Sequence, residues 1–85
     1  MKASKILTKI TDSPNNIRFG DLTKLVKAFG FIPARIEGSH HIYVKEGIPD
    51  QVNLQELKGK AKPYQVKQFL KLVEKYELEL DDDDE

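Results

Sequence analysis

The feature that most constrains this fold is a pair of short alternating apolar runs joined by Gly38-Ser39. The first run covers residues 31 to 37, and the second extends from His40 to Lys45. Successive side chains of a β-strand point to opposite faces, and a glycine beside a small polar residue is typical of the tight connection between antiparallel strands. The pattern therefore predicts a β-hairpin with its turn at Gly38-Ser39.

A third alternating run, Gln51 to Leu54, follows a cluster of turn formers at residues 46 to 50. Its length of four residues predicts a short strand, antiparallel to the second and lying at the edge of the sheet. The next stretch, Leu57 to Lys62, is basic and contains a glycine, so we interpret it as a loop.

Helical stripes flank the strands. Apolar residues recur at helical spacing, and their positions are Leu22, Leu25, Val26 and Phe29 before the hairpin and Val66, Phe69, Leu70 and Val73 after the third strand. The second of these helices is predicted to run from Pro63 to about Tyr76, and residues 2 to 11 predict an extra short N-terminal helix. We expect an α+β fold in which a three-stranded antiparallel sheet carries helices on one face and leaves the other face open.

Charge divides the chain unevenly. Residues 1 to 76 hold all 14 basic residues and seven of the 14 acidic ones, so this part carries a net charge of +7, and the other seven acids lie between Glu77 and Glu85. A basic body is typical of proteins that meet phosphates, and adjacent acids favour a solvated tail. We expect a single domain over residues 1–76 and a disordered acidic tail over 77–85, with a tail folded back on the basic surface as the alternative.

Several classes of function are disfavoured. The 85 residues include no cysteine, which argues against a disulfide framework or a thiolate metal site. No apolar run approaches the roughly 18 residues of a membrane span, and no glycine-rich nucleotide-binding motif occurs. The expectation is a cytoplasmic protein that needs no cofactor.

The two histidines, His40 and His41, follow the hairpin turn directly. An imidazole titrates near neutral pH, so it can accept or donate a proton when the 2′-hydroxyl of RNA attacks its own phosphate. Gly38 would allow a phosphate to approach closely, and Ser39 adds a hydroxyl donor. The alternative, in which both histidines are ordinary strand residues, stays open at this point.

Alternation also predicts where these side chains point. If Ile42 and Val44 face the helices, His40 shares their face, whereas His41 and Tyr43 lie on the open face. His41 would then be the better-exposed base. Neighbouring strand residues point to opposite faces and cannot share one metal ion, so no metal site is expected.

Further residues are candidates for contacts to RNA. Arg35 and Lys45 are the basic residues nearest the histidines on the hairpin, and Tyr43 would stack on an unpaired base. The predicted loop carries three lysines that would hold phosphates, although a merely solvated loop would have the same composition. These lysines are Lys58, Lys60 and Lys62.

One stretch of the chain resembles a known family. A helix ending at Phe29-Gly30-Phe31, followed by the run from Arg35 through Gly38-Ser39-His40-His41 to Tyr43, resembles the HicA (YcfA-like) mRNA interferase toxins, over roughly residues 17 to 76. The resemblance implies a double-stranded-RNA-binding-like α-β-β-β-α fold, mRNA cleavage without a metal, and inhibition by a HicB-type antitoxin.

The resemblance also implies a role for one histidine. The histidine of the family's Gly-Ser-His motif is catalytic, which ranks His40 first, with His41 kept as the candidate that alternation favours. Where many relatives carry a Pro-x-His-Pro-like string, this chain has Gln51-Val52-Asn53-Leu54. Two further hypotheses are therefore a non-catalytic RNA-binding module and a domain that binds another protein through its open sheet face or edge strand.

Overall fold

A computed structural model of the chain describes residues 2–80. Its helices are α1 (Ala3–Asp12), α2 (Phe19–Ala28) and α3 (Pro63–Lys75), and its strands are β1 (Ile32–Glu37), β2 (His40–Lys45), β3 (Ile48–Leu57) and β4 (Lys60–Ala61). The α+β class, the antiparallel sheet and the N-terminal helix are confirmed. Within the described residues, no helix is both long enough and apolar enough to cross a membrane.

The hairpin between β1 and β2 has the predicted turn. Glu37 pairs with His40 across Gly38-Ser39, and Gly38 has a φ of +62°, a conformation that glycine adopts without strain. A register shift between Pro33 and Arg35 interrupts the pairing nearer the start of β1. The turn therefore fixes the histidine end of β2 at the tip of this hairpin.

The predicted length and position of the third strand are wrong. β3 contains ten residues rather than four, and it lies inside a sheet with the order β1-β2-β3-β4 rather than at its edge. A tight turn that contains Gly47, whose φ is +86°, joins β2 to β3. The two strands pair directly beside this turn, where Lys45 is opposite Ile48. The predicted loop from Leu57 to Lys62 contains β4, which pairs with the end of β3, so the sheet has four strands rather than the predicted three.

The segment that precedes α2 secures β4. The backbone N–H of Ala61 donates to the carbonyl of Ile17 at 2.8 Å, and the N–H of Phe19 donates to the carbonyl of Gly59 at 2.9 Å. Arg18 and Lys60 form an isolated antiparallel bridge between these hydrogen bonds. A segment distant in sequence therefore completes this side of the sheet.

The helices and one face of the sheet enclose a single hydrophobic core. The sheet contributes Tyr43, Val52, Leu54 and Ala61 to it. On α3 the side chain of Gln65 is buried, and its Oε1 accepts a hydrogen bond from the backbone N–H of Gln55 at 2.7 Å. This bond holds α3 against β3, because an unpaired N–H at that position would be costly.

The predicted orientation of β2 is wrong. Tyr43 lies in the core cluster, and the register pairs it with Val52, whereas Ile42 pairs with the exposed Asn53 and, although its own side chain is buried, lies outside that cluster. Because side chains alternate along a strand, His41 shares the helix-covered face with Tyr43, and His40 lies on the open face. Tyr43 faces the core because its cross-strand partner, Val52, is a core residue.

The edge strand β1 has no cover on either face. All six of its residues are exposed, and two of them, Ile32 and Ile36, expose more than 60% of their surface. At the other end of the chain, Leu78 and Leu80 pack against the core. Residues 81–85 of the predicted acidic tail lie outside the described residues.

Candidate functional site

The exposed turn Gly38-Ser39 and the start of β2 form the centre of the candidate site. Neither turn residue is buried, and a Cβ added to Gly38 would meet no atom within 4 Å. The turn therefore leaves open space at Gly38, two residues before His40, the first residue of β2. An extended ligand can approach the histidine from this side.

His40 lies on the open face and has a defined partner there. Its Nδ1 is 3.0 Å from Oδ1 of Asn53, on the neighbouring strand β3. An amide oxygen accepts hydrogen bonds, so Nδ1 carries the proton in this contact. In the neutral ring the other nitrogen, Nε2, then carries the lone pair and can act as a base.

Two more contacts surround the imidazole. The Nε2 amide of Gln55 donates to Oγ of Ser39 at 3.3 Å, which ties the turn to β3. On the other side, Nε of Arg35 donates to Oε2 of Glu37 at 2.7 Å. These residues surround His40 and Asn53 at the turn end of β2.

His41 has a different environment. Its ring lies 4.8 Å from that of Phe19, centroid to centroid, at an interplanar angle of 60°. This edge-to-face contact attaches β2 to the first residue of α2 and is a favourable packing geometry for two aromatic rings. The two adjacent histidines thus have separate surroundings, with His41 against a helix and His40 against an amide.

Two predicted contact residues lie away from His40. Tyr43 is 5% exposed, so its ring is not available for stacking on a base, and burial raises the pKa of its phenol above the ordinary value. Lys45 occupies the other end of β2, and its ammonium group lies over Gly30. Four residues of strand lie between it and His40, so the two are five steps apart, a span of about 17 Å.

The predicted lysines form a basic group at the end of β3 and at β4. Lys58 lies in the turn, Lys60 in β4, where its Nζ donates to Oδ1 of Asn16, and Lys62 directly precedes α3. With Leu57 and Pro63 these side chains line a shallow depression. His40 and Lys60 lie on opposite sides of β3, two register positions apart, which corresponds to about 12 Å in a regular sheet.

Three residues of this surface were not predicted from the sequence. Asn53 and Gln55 support the turn and the imidazole, and Arg18 joins the basic group by its bridge to Lys60. Strand alternation carried a usable signal for the first two, because Asn53 lies between Val52 and Leu54, and Gln55 is the next residue of the same parity. Arg18 had no such signal, since its position depends on a contact between distant segments.

The lining of a second cavity does not include His40. A cavity of about 50 Å³ lies between β3 and α3, and its lining includes the core residues Val52, Leu54 and Phe69. It is therefore on the opposite side of the sheet from His40. Among residues 2–80, no group of three or more histidine, cysteine or acidic side chains is arranged to hold a metal ion.

Fold and site together define a class: a small α+β protein that presents one histidine on the open face of an antiparallel sheet, with a basic group beside it. A family model described as HicA toxin of bacterial toxin-antitoxin matches residues 19–74, about two thirds of the chain. The chain belongs to the HicA toxin family, and the resemblance seen in the sequence is confirmed. Comparisons with curated proteins and with solved structures give no match, so the double-stranded-RNA-binding-like topology stays a prediction.

Proposed function

We propose that this protein is a metal-independent endoribonuclease that cleaves mRNA, with His40 as its general base. The observation that carries the proposal is the position of His40 on the open sheet face, with Nδ1 held by Asn53 and Nε2 free. A base must reach the proton that it removes, and open space at Gly38 allows an RNA backbone to come within hydrogen-bond distance.

The proposed reaction uses the nucleophile of the substrate. Nε2 of His40 removes the proton of a 2′-hydroxyl, O2′ forms a bond to phosphorus, and the bond from phosphorus to O5′ breaks. The departing 5′-oxygen takes a proton from water, the protonated imidazole returns its proton to solvent, and the products are a 2′,3′-cyclic phosphate and a 5′-hydroxyl. Backbone N–H groups at Gly38-Ser39 would stabilise the charge that develops on the phosphate.

Phosphates flanking the cleaved bond are assigned to the basic group. Lys58, Lys60, Lys62 and Arg18 lie across β3 from His40, so one RNA strand crossing the open face would pass both sites. Such contacts bind RNA without reading its sequence. Arg35 holds the carboxylate of Glu37, and Tyr43 and Lys45 contribute to packing rather than to binding RNA.

Family membership supports a partner as well as a substrate. Toxins of toxin-antitoxin systems are paired with an inhibitor, and we propose a HicB-type antitoxin for this chain. Such a partner would block cleavage by covering the open face around His40, so mixing the two proteins should abolish cleavage and protect that surface from solvent.

The test of the proposed function is cleavage of single-stranded RNA in EDTA. Wild-type protein should release fragments with 2′,3′-cyclic phosphate ends, and His40→Ala should lower the rate about 10²- to 10⁴-fold. The matched control is His41→Phe, which keeps an aromatic ring against Phe19 and should cleave like the wild type. Intact RNA with folded wild-type protein, or equal cleavage by His40→Ala, would refute the proposal.

The basic group has its own test. Lys58→Gln should weaken RNA binding, and for a single strand it should reduce the slope of log affinity against log salt by about 0.7. Lys71→Gln, which removes the same charge from an exposed position of α3, is the control. Equal loss in both variants would mean that net charge rather than the basic group determines affinity.

A second candidate function is protein binding through β1. An exposed edge strand offers unpaired backbone groups to another chain, and the exposed Ile32 and Ile36 add apolar surface. This alternative predicts stable binding of a protein partner, no RNA affinity at moderate salt, and loss of that binding in Ile36→Lys.

A further inference from the structure

The side-chain amides of Asn53 and Gln55 on β3 make different contacts near the β1–β2 turn. Gln55 is the register partner of His40, yet its amide nitrogen donates to Ser39 in the turn. Asn53 lies diagonally across from His40 and takes the imidazole contact instead. The strand therefore fixes the turn with one amide and the histidine ring with the other.

The contact with Asn53 selects one form of the ring. A neutral imidazole carries a single proton, and the hydrogen bond of one ring nitrogen decides which nitrogen holds it. With Oδ1 of Asn53 as acceptor at 3.0 Å, the proton is on Nδ1 and the lone pair is on Nε2. An unassisted ring would divide its population between both forms.

The charged residues near His40 do not determine which ring nitrogen carries the proton. Glu37 is the register partner of His40 on β1, so its carboxylate is on the same face of the sheet as the imidazole. That carboxylate is engaged by Nε of Arg35 at 2.7 Å. On the β3 side the facing groups are the neutral amides of Asn53 and Gln55, so no carboxylate of residues 2–80 pairs directly with the ring.

We propose that Asn53 is a positioning residue that holds His40 as the Nδ1–H form and so presents Nε2 as the base. This inference rests on the proposed nuclease function, but its structural half is measurable without cleavage. The neutral acceptor has a further consequence: a carboxylate at position 53 would stabilise the protonated ring, which is inactive as a base.

The first experiment measures the ring directly. Long-range proton–nitrogen NMR on the ¹⁵N-labelled full chain, at a pH where the ring is neutral, distinguishes a protonated from an unprotonated ring nitrogen. For His40 we expect protonated Nδ1 and unprotonated Nε2 in the wild type, and a shift toward the other form in Asn53→Ala. A wild-type ring protonated at Nε2, or an Asn53→Ala ring unchanged from the wild type, would overturn the proposal.

The second experiment measures cleavage. Asn53→Ala should lower kcat about 10- to 100-fold, the range typical of partners that orient a functional histidine, with KM unchanged. Asn53→Asp should move the acidic limb of the pH–rate profile to higher pH by about one unit and restore much of the rate above it. The control is Gln51→Ala, an exposed residue two positions earlier on β3, which should leave both parameters unchanged.

The outcomes separate the two proposals. No cleavage by folded wild-type protein would refute the nuclease function, and with it the catalytic purpose of the contact, whatever the NMR shows. Cleavage by the wild type with equal rates in Asn53→Ala would keep the nuclease and refute the role of Asn53. A fall in rate without the pH shift in Asn53→Asp would reduce Asn53 to a packing residue.

Discussion

The two faces of the strand pair β2 and β3 are built from the same stretch of sequence for different purposes. On the helix-covered face, Tyr43 and Leu54 are buried in the core. On the open face, His40 of β2 and Asn53 of β3 make a polar contact beside the buried Ile42. Stability depends on the first face, and the chemistry proposed above depends on the second.

The largest effect should come from a change on the covered face. Leu54 is 1% exposed, and Leu54→Ala should lower the free energy of unfolding by about 2–5 kcal/mol, because it leaves a cavity in a small core. Its neighbour Asn53 should differ: Asn53→Ala should cost less than about 1.5 kcal/mol, the value of one exposed hydrogen bond. Denaturant unfolding of both variants measures the difference, and equal losses would mean that the open face is also part of the core.

Much of this two-faced arrangement could be predicted from the sequence. The helical stripe around Leu25 and the turn at Gly38-Ser39 are local patterns, and both correspond to elements of the structure. The short strand β4 was missed because two residues carry no alternation and because its neighbours, the segment around Arg18, are remote in sequence. Local patterns predict elements, whereas the edges of a sheet depend on pairing between distant segments.

The assignment of the two histidines shows the same limit. Alternation required that His40 and His41 face opposite sides, and this holds. The choice of side could not be made locally, because Ile42 and Tyr43 are both suitable core residues. Pairing of Tyr43 with the core residue Val52 decides it, and a strand register is set by the whole sheet.

A smaller effect should come from His41, the histidine on the covered face. His41→Ala removes the ring contact with Phe19 and should cost about 0.5–1.5 kcal/mol of unfolding free energy beyond the lost buried area. His41→Phe should recover most of that loss. Thermal and denaturant unfolding of the wild type and the two variants measure this difference. A cleavage defect in the stable His41→Phe variant would mean that His41, and not only His40, takes part in cleavage.

The smallest effect at neutral pH should come from Tyr43, and it should grow only in alkali. Burial raises the pKa of Tyr43, so the folded protein disfavours the phenolate. The contribution of the neutral phenol to the unfolding free energy is therefore complete below the unfolded pKa of about 10. It is lost as the pH rises through the higher pKa of the folded state. In Tyr43→Phe the unfolding free energy should therefore fall less steeply above pH 10 than in the wild type. The other titratable groups are common to both proteins and cancel in the difference. The exposed Tyr64 provides the control: Tyr64→Phe should follow the wild-type curve, and a Tyr43→Phe curve parallel to it would mean that the phenol of Tyr43 reaches water.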